Sequence, residues 1–179
     1  YVARQVSRWT KQYLASETET IPEMDNLIEW LADNIPDDDE TSIVHGDYRL
    51  DNMIYKNHEV IGVLDWELST LGHPIADFSY HCLTWRTLPA MSDLKLIKEL
   101  GIPSEVEYRD MYSEYTGKDL SKNWEFYMVF NMFKIAAICQ GILGRVRDGT
   151  ASSKHAEERG MQVFPISKAA WSIVETNFK

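Results

Sequence analysis

His45-Gly46-Asp47-Tyr48-Arg49-Leu50-Asp51-Asn52 follows the short apolar run Ser42-Ile43-Val44, and Val60 to Leu64 leads in the same way into Asp65-Trp66-Glu67. Both polar clusters stand where a strand-like run ends, at the rim where side chains can meet. If the two strands are neighbours, Asp47, Asn52 and Asp65 converge there. Three oxygen-bearing side chains suit a hard cation such as magnesium, which takes one or two carboxylates and leaves its other positions to phosphate oxygens and water. Phosphoryl transfer asks for little more than a base beside the attacking hydroxyl, metal ions bridging the phosphates, and exact positioning.

The spacing sharpens this expectation. In protein kinases the catalytic loop reads H-R-D-x-x-x-x-N, with the Asp as base and the Asn on magnesium. His45-Gly46-Asp47 followed by Asn52 has the same spacing, with Gly in place of Arg. Asp65, one strand further on, stands where the D-F-G aspartate of a kinase stands. A lone Asp or Asn after a strand is ordinarily a turn residue; the joint pattern of position, spacing and strand context carries the reading.

His-Gly-Asp, Asn five residues after the Asp, and then Leu-Asp-Trp-Glu resembles the aminoglycoside phosphotransferase and choline kinase family. Those enzymes have a kinase-like fold and move the ATP γ-phosphate to a small-molecule hydroxyl. HGDYRLDN (45–52), VIGVLDWELSTLGHPIAD (60–77) and ICQGI (138–142) look most like the branch found alone in bacteria and fused to acyl-CoA dehydrogenases elsewhere. The similarity runs from about residue 41 into the 150s. The resemblance implies ATP as co-substrate and magnesium as cofactor. By position it makes Asp47 the general base or hydroxyl-orienting group, and Asn52 and Asp65 the magnesium ligands. Asp77 would brace the catalytic loop, and Ile54 and Leu64 would lie under the adenine ring. His45 reads as a packed, hydrogen-bonded loop residue that supports the loop. Asp51 and Glu67 are either contacts to metal-bound water or substrate, or solvated loop carboxylates.

Outward from this centre, Met53-Ile54-Tyr55 and Val60 to Trp66 read as a hairpin joined at Lys56 to Glu59. Upstream, apolar spacing predicts a helix over Val2 to Leu14 and a second begun by Pro22 and closed by Pro36. Asp37 to Glu40 reads as a solvated acidic loop. Downstream, helical spacing runs from Ile75 to Trp85, then recurs near Leu94 to Leu100, Val106 to Tyr115, Trp124 to Val146 and Ala156 to Phe178. The fold class is therefore α+β and mostly helical, the C-terminal lobe of a protein-kinase-like fold with a small short-strand island. In chain order it divides into a helical lead-in (1–40), the catalytic loop and metal strand (41–77), and a helical substrate-side part (78–179).

The other wall of a kinase site is a Gly-rich loop over the phosphates and a strand Lys. No GxGxxG occurs in the 179 residues. Gly144 to Thr150 superficially imitates a phosphate loop but lacks its Lys and follows a helical segment. The chain also opens on Tyr1 in helical spacing. Together these lead us to expect an N-terminal nucleotide lobe in cis, outside this stretch, and weak activity without it.

Net charge of −10 argues against nucleic-acid partners. No apolar run is read as reaching the roughly 18 residues of a membrane span, and no basic-then-apolar stretch of the secretory type is read in these residues. Cys82 and Cys139 read as buried free thiols. A cytoplasmic location is the expectation. Arg145, Arg147, Lys154 and His155 form either a basic mouth for an anionic acceptor or cations placed at a helix end. Trp85, Trp124, Phe126 and Phe130 line a pocket or belong to the core. The rival functions are a non-catalytic kinase-like binding module, a metal-dependent phosphohydrolase using Asp47, Asp51 and Asp65, and a purely structural helical domain.

Overall fold

Helix α1 (Val2–Ser16) buries Val2, Val6 and Tyr13 along one stripe, and α2 (Pro22–Asp33) buries Met24, Leu27 and Leu31. Pro22 starts α2 at its first turn, where its missing N–H costs nothing. The computed structural model describes residues 1–38, 40–87, 91 and 93–178. By internal contact these form two units, Tyr1–Asp37 with Met128–Lys179, and Asp38–Tyr127. The structure thus regroups the sequence-order division: the lead-in helices join the last helices, and residues 78–127 join the strands.

The first unit is helical throughout. Besides α1 and α2 it holds most of α7 (Trp124–Arg147), then α8 (Ala156–Gly160) and α9 (Val163–Asn177). Phe133, Ala136 and Ala137 of α7 and Val163, Ala170 and Val174 of α9 are buried. Gln140 donates to the Ser16 carbonyl at 2.8 Å and to the Thr18 hydroxyl at 3.0 Å, satisfying its buried NH₂ group. The continuous helix expected over 156–178 is broken at Met161 and Gln162, where i−3 bonds tighten the turn. Gly160 sits just before the break. A Cβ there would lie 2.6 Å from Leu143 Cγ, so only glycine lets α8 approach α7 this closely. Helix α7 is also long and apolar enough to span a membrane by length and composition, against the sequence expectation. Its apolar window is 78% buried, the position of a core helix.

The second unit contains the four strands found among the described residues. β1 (Ser42–Val44) pairs antiparallel with β4 (Thr70–Gly72), in the register Ser42↔Gly72. β2 (Met53–Lys56) and β3 (Glu59–Val63) form a separate hairpin. Its turn residues Asn57 and His58 both have positive φ, the conformation that suits the right-handed strand twist. Strand β4 was not expected, and β3 ends earlier than expected. β1 and the 59–63 strand are not paired neighbours, so strand pairing is not what brings the polar clusters together.

Helix α3 (Pro74–Cys82) follows β4, and the segment read as one helix to Trp85 is interrupted at Leu83 before α4 (Thr84–Thr87). Asp93 caps α5 (Leu94–Glu99). Ser104 and Glu107 form a reciprocal capping box on α6 (Glu105–Thr116), which ends at left-handed Gly117. Within this unit Arg86 donates to Glu105 at 2.6 and 2.8 Å and to Glu125 at 2.5 and 2.9 Å. The Trp124 indole also donates to Glu105, at 2.8 Å. The acidic run read as a solvated loop is partly engaged: Asp38 lies 3.2 Å from buried His73, and Glu40 pairs with Lys118. Asp39 lies outside the described residues.

Candidate active site

The first half of the loop between β1 and β2 is held by α3. Asp77 accepts from the His45 amide at 2.8 Å and from the Gly46 amide at 2.9 Å. Three residues later Tyr80 donates its hydroxyl to Asp47 Oδ1 at 3.0 Å. One residue further, His81 Nδ1 donates to the Tyr48 carbonyl at 3.2 Å. Positions i, i+3 and i+4 share one helix face, so this face grips four consecutive loop residues, 45 to 48.

His45 is buried and both its nitrogens are occupied. Nε2 meets the Leu64 carbonyl at 2.8 Å and Nδ1 meets the Asp47 amide at 3.3 Å. A carbonyl only accepts and an amide N–H only donates, so the proton sits on Nε2. No nitrogen is left for proton shuttling. Instead His45 ties the loop to the chain entering Asp65, and the Leu64 amide adds a bond to the Asn52 carbonyl at 2.8 Å. These loop bonds bring the two polar clusters together, where the sequence pointed to strand pairing.

Gly46 explains the departure from H-R-D. Its φ is +85°, and a Cβ would stand 2.7 Å from the Leu68 carbonyl oxygen. Both facts exclude a side chain.

Asp47 is half-buried, and each carboxylate oxygen has a donor. Tyr80 serves Oδ1, and the Asn52 amide serves Oδ2 at 3.1 Å while also reaching the Asp47 carbonyl at 2.9 Å. Burial, followed by the Asp47 charge, pushes the Tyr80 phenol up to about 12, so it stays protonated and donating.

Asn52 spends its NH₂ on Asp47, and its oxygen accepts nothing among the described residues. Asp65 is exposed, its carboxylate likewise unengaged among the described residues, and its backbone is left-handed at φ 63° and ψ 52°. Such a conformation in a non-glycine residue is uncommon and concentrates at functional sites. An amide oxygen and a carboxylate, both free, fit the donor set of a hard cation that keeps its remaining positions for phosphate and water. Among the described residues no three His, Cys, Asp or Glu side chains form a cage of their own.

The hairpin register places Ile54 opposite Gly62, and the Asn52–Leu64 bond continues the pairing. Opposed residues point to the same side. Asn52, Ile54, Gly62 and Leu64 therefore share one face, with Ile54 and Leu64 both exposed.

The model of the phosphotransferase enzyme family matches residues 1–113. The mouse protein "Acyl-CoA dehydrogenase family member 10" is 44% identical over 178 residues, covering 96% of this chain and 17% of its own length. Human "Acyl-CoA dehydrogenase family member 11" is 39% identical, covering 99% of this chain and 24% of its own. A crystal structure of "a putative aminoglycoside phosphotransferase" from Ralstonia eutropha JMP134 superposes with a TM-score of 0.92 at 49% identity, covering 98% of this chain and 56% of that one. The chain belongs to the phosphotransferase enzyme family. It has the kinase-like fold of that family and spans about a fifth of the dehydrogenase relatives.

Two residues of this candidate site escaped sequence reasoning, Tyr80 and His81. The signal available was their spacing from Asp77 on a helix begun by Pro74. Of the other candidates, Asp51 pairs with Arg49, and Glu67 is exposed. Trp124, Phe126 and Phe130 are core residues, whereas Trp85 is half-buried with its N–H on the Pro103 carbonyl at 3.0 Å. Arg147 is turned onto Asp148 and the Glu17 carbonyl. Cys82 and Cys139 are buried free thiols, and burial raises the pKa of both.

Proposed function

We propose that this chain is the catalytic-loop half of an ATP-dependent, magnesium-dependent small-molecule kinase. The observation that carries the reading is the side-chain division at Asn52, whose amide hydrogens face Asp47 while its oxygen is left for a cation. Asp47 orients the acceptor hydroxyl and takes its proton as the acceptor oxygen bonds to the γ-phosphorus and the bond to the leaving ADP oxygen breaks. Asn52 and Asp65 hold magnesium, which when bound neutralises charge on the phosphate oxygens. Ile54 and Leu64 form the apolar bed for adenine.

The nucleotide-gripping half is proposed to be an N-terminal lobe in cis. In support, ten of the nineteen exposed large apolar side chains among the described residues lie between Ile43 and Leu71. Exposed apolar side chains gathered in one stretch of the chain fit a surface that is covered in use. The matched bacterial structure extends well beyond the region shared with this chain. For the acceptor we favour a hydroxylated acyl compound over an aminocyclitol, supported by the names of the dehydrogenase relatives.

The test is transfer of ³²P from γ-labelled ATP by the full-length protein to a panel of hydroxyacyl-CoA thioesters, free hydroxy acids and an aminocyclitol. Magnesium-dependent labelling of a hydroxyacyl compound is expected. Preference for the aminocyclitol would reverse the acceptor assignment. Phosphate release from simple esters without nucleotide would support a phosphohydrolase instead.

A further inference from the structure

Among the described residues of α3, Tyr80 alone reaches the Asp47 carboxylate. The bonds from Asp77 and His81 end on backbone atoms. We propose that Tyr80 is a positioning residue for phosphoryl transfer, fixing the plane of the Asp47 carboxylate so that it meets the acceptor hydroxyl. The inference rests on the reading of Asp47 as base.

The physical need is clear from the side chain. The terminal torsion of an Asp is broad and roughly two-fold, so one hydrogen bond lets the carboxylate pivot. Asn52 supplies one anchor, on Oδ2, from the loop itself. Tyr80 supplies the second, on Oδ1, from a different element. Two donors on two oxygens define the plane. A carboxylate has about four lone-pair sites, so one bond to each oxygen still leaves room for the incoming hydroxyl. The phenol is well placed for a fixed role, because α3 is anchored by buried Ile75, Phe78 and Cys82 on either side of it. With its pKa near 12 it does not give up its proton at working pH.

The experiment compares wild type, Tyr80→Phe and Asp47→Ala in the full-length protein. Each is assayed with the panel acceptor turned over fastest or, where none is, with water as acceptor scored by ADP release. Tyr80→Phe is expected to lower kcat about tenfold, the scale of losing geometry at a reacting centre. The KM values for ATP and acceptor and the magnesium concentration for half-maximal rate should stay within twofold. The melting temperature should hardly move. A Tyr80→Phe rate within twofold of wild type, while Asp47→Ala is inactive, overturns the positioning role alone. So does a rate loss that tracks raised KM or a fall in melting temperature, which marks a merely structural residue. If Asp47→Ala itself transfers at the wild-type rate, the reading of Asp47 as base fails, and the inference with it.

Discussion

In the unit formed by residues 1–37 and 128–178, helices are held by apolar side chains such as Leu27, Leu31, Phe133 and Val174, all essentially inaccessible. In the unit formed by residues 38–127, the region from β1 to α3 is held by directed polar bonds to named atoms: Asp77 to two amides, His45 to Leu64, Asn52 and Tyr80 to Asp47. Between Ile43 and Leu71 its large apolar side chains are mostly exposed, whereas Val44, Ile75 and Phe78 are buried. Packing is non-directional and tolerates change of shape. Hydrogen bonds fix orientation, which phosphoryl transfer needs. The contrast separates what keeps this chain folded from what aims its chemistry, and the two should respond to mutation in opposite ways.

The largest stability effect is expected in the helical unit. Leu27→Ala leaves a cavity in a fully buried site and should cost about 3 kcal/mol, read as a lower midpoint in urea. Transfer by the protein that remains folded should keep its wild-type kcat. A comparable loss of kcat would break the contrast.

Gly46→Ala comes next. The left-handed φ and the 2.7 Å approach to Leu68 O act together, for a cost of about 2 kcal/mol. Because the strain falls on the residue before Asp47, kcat should fall more than tenfold while the helical unit retains its hydrogen-exchange protection.

Asp77→Asn exchanges one acceptor oxygen for an NH₂ group that faces a backbone N–H. A cost of roughly 1–2 kcal/mol is expected, with kcat again falling more than stability alone explains. An unchanged kcat would mean the loop holds its shape without α3.

The smallest effect concerns pH. Burial, the leading cause, depresses the His81 pKa below its ordinary value of 6.5, against the opposing pull of the Tyr48 carbonyl and Asp77. The unfolded chain then binds the His81 proton more readily than the folded one. Stability from this group is intact above about pH 6.5 and falls as pH drops below it toward the folded value. His81→Gln should flatten the urea midpoint between pH 6.5 and 5. An unaltered slope would place the titration elsewhere.

Legibility from sequence followed the same contrast. His45, Asp47, Asn52, Asp65 and Asp77 stand at fixed spacings along 33 residues, so a linear pattern exposes them. The helices α1, α2, α6 and α7 follow from apolar period and from Pro, Ser and Gly at their ends. What stayed hidden depends on partners far along the chain or on local backbone turns that apolar spacing does not report. β4 is three residues long and is a strand only because β1 pairs with it. The early end of β3 follows from the left-handed turn at Asp65. Tyr80 and His81 look like any aromatic residues of an amphipathic helix until α3 is seen to face the loop. The breaks at Leu83 and Met161 come from local tightening that apolar spacing does not encode.

The most direct test is a single-turnover measurement of γ-phosphate transfer by the full-length protein, comparing wild type with Asp47→Asn at saturating ATP and magnesium. Removing the base should slow transfer by about 10³-fold while ATP binding, followed by fluorescence, stays within threefold. Transfer at the wild-type rate by Asp47→Asn would contradict the assignment of this loop as the centre of the reaction.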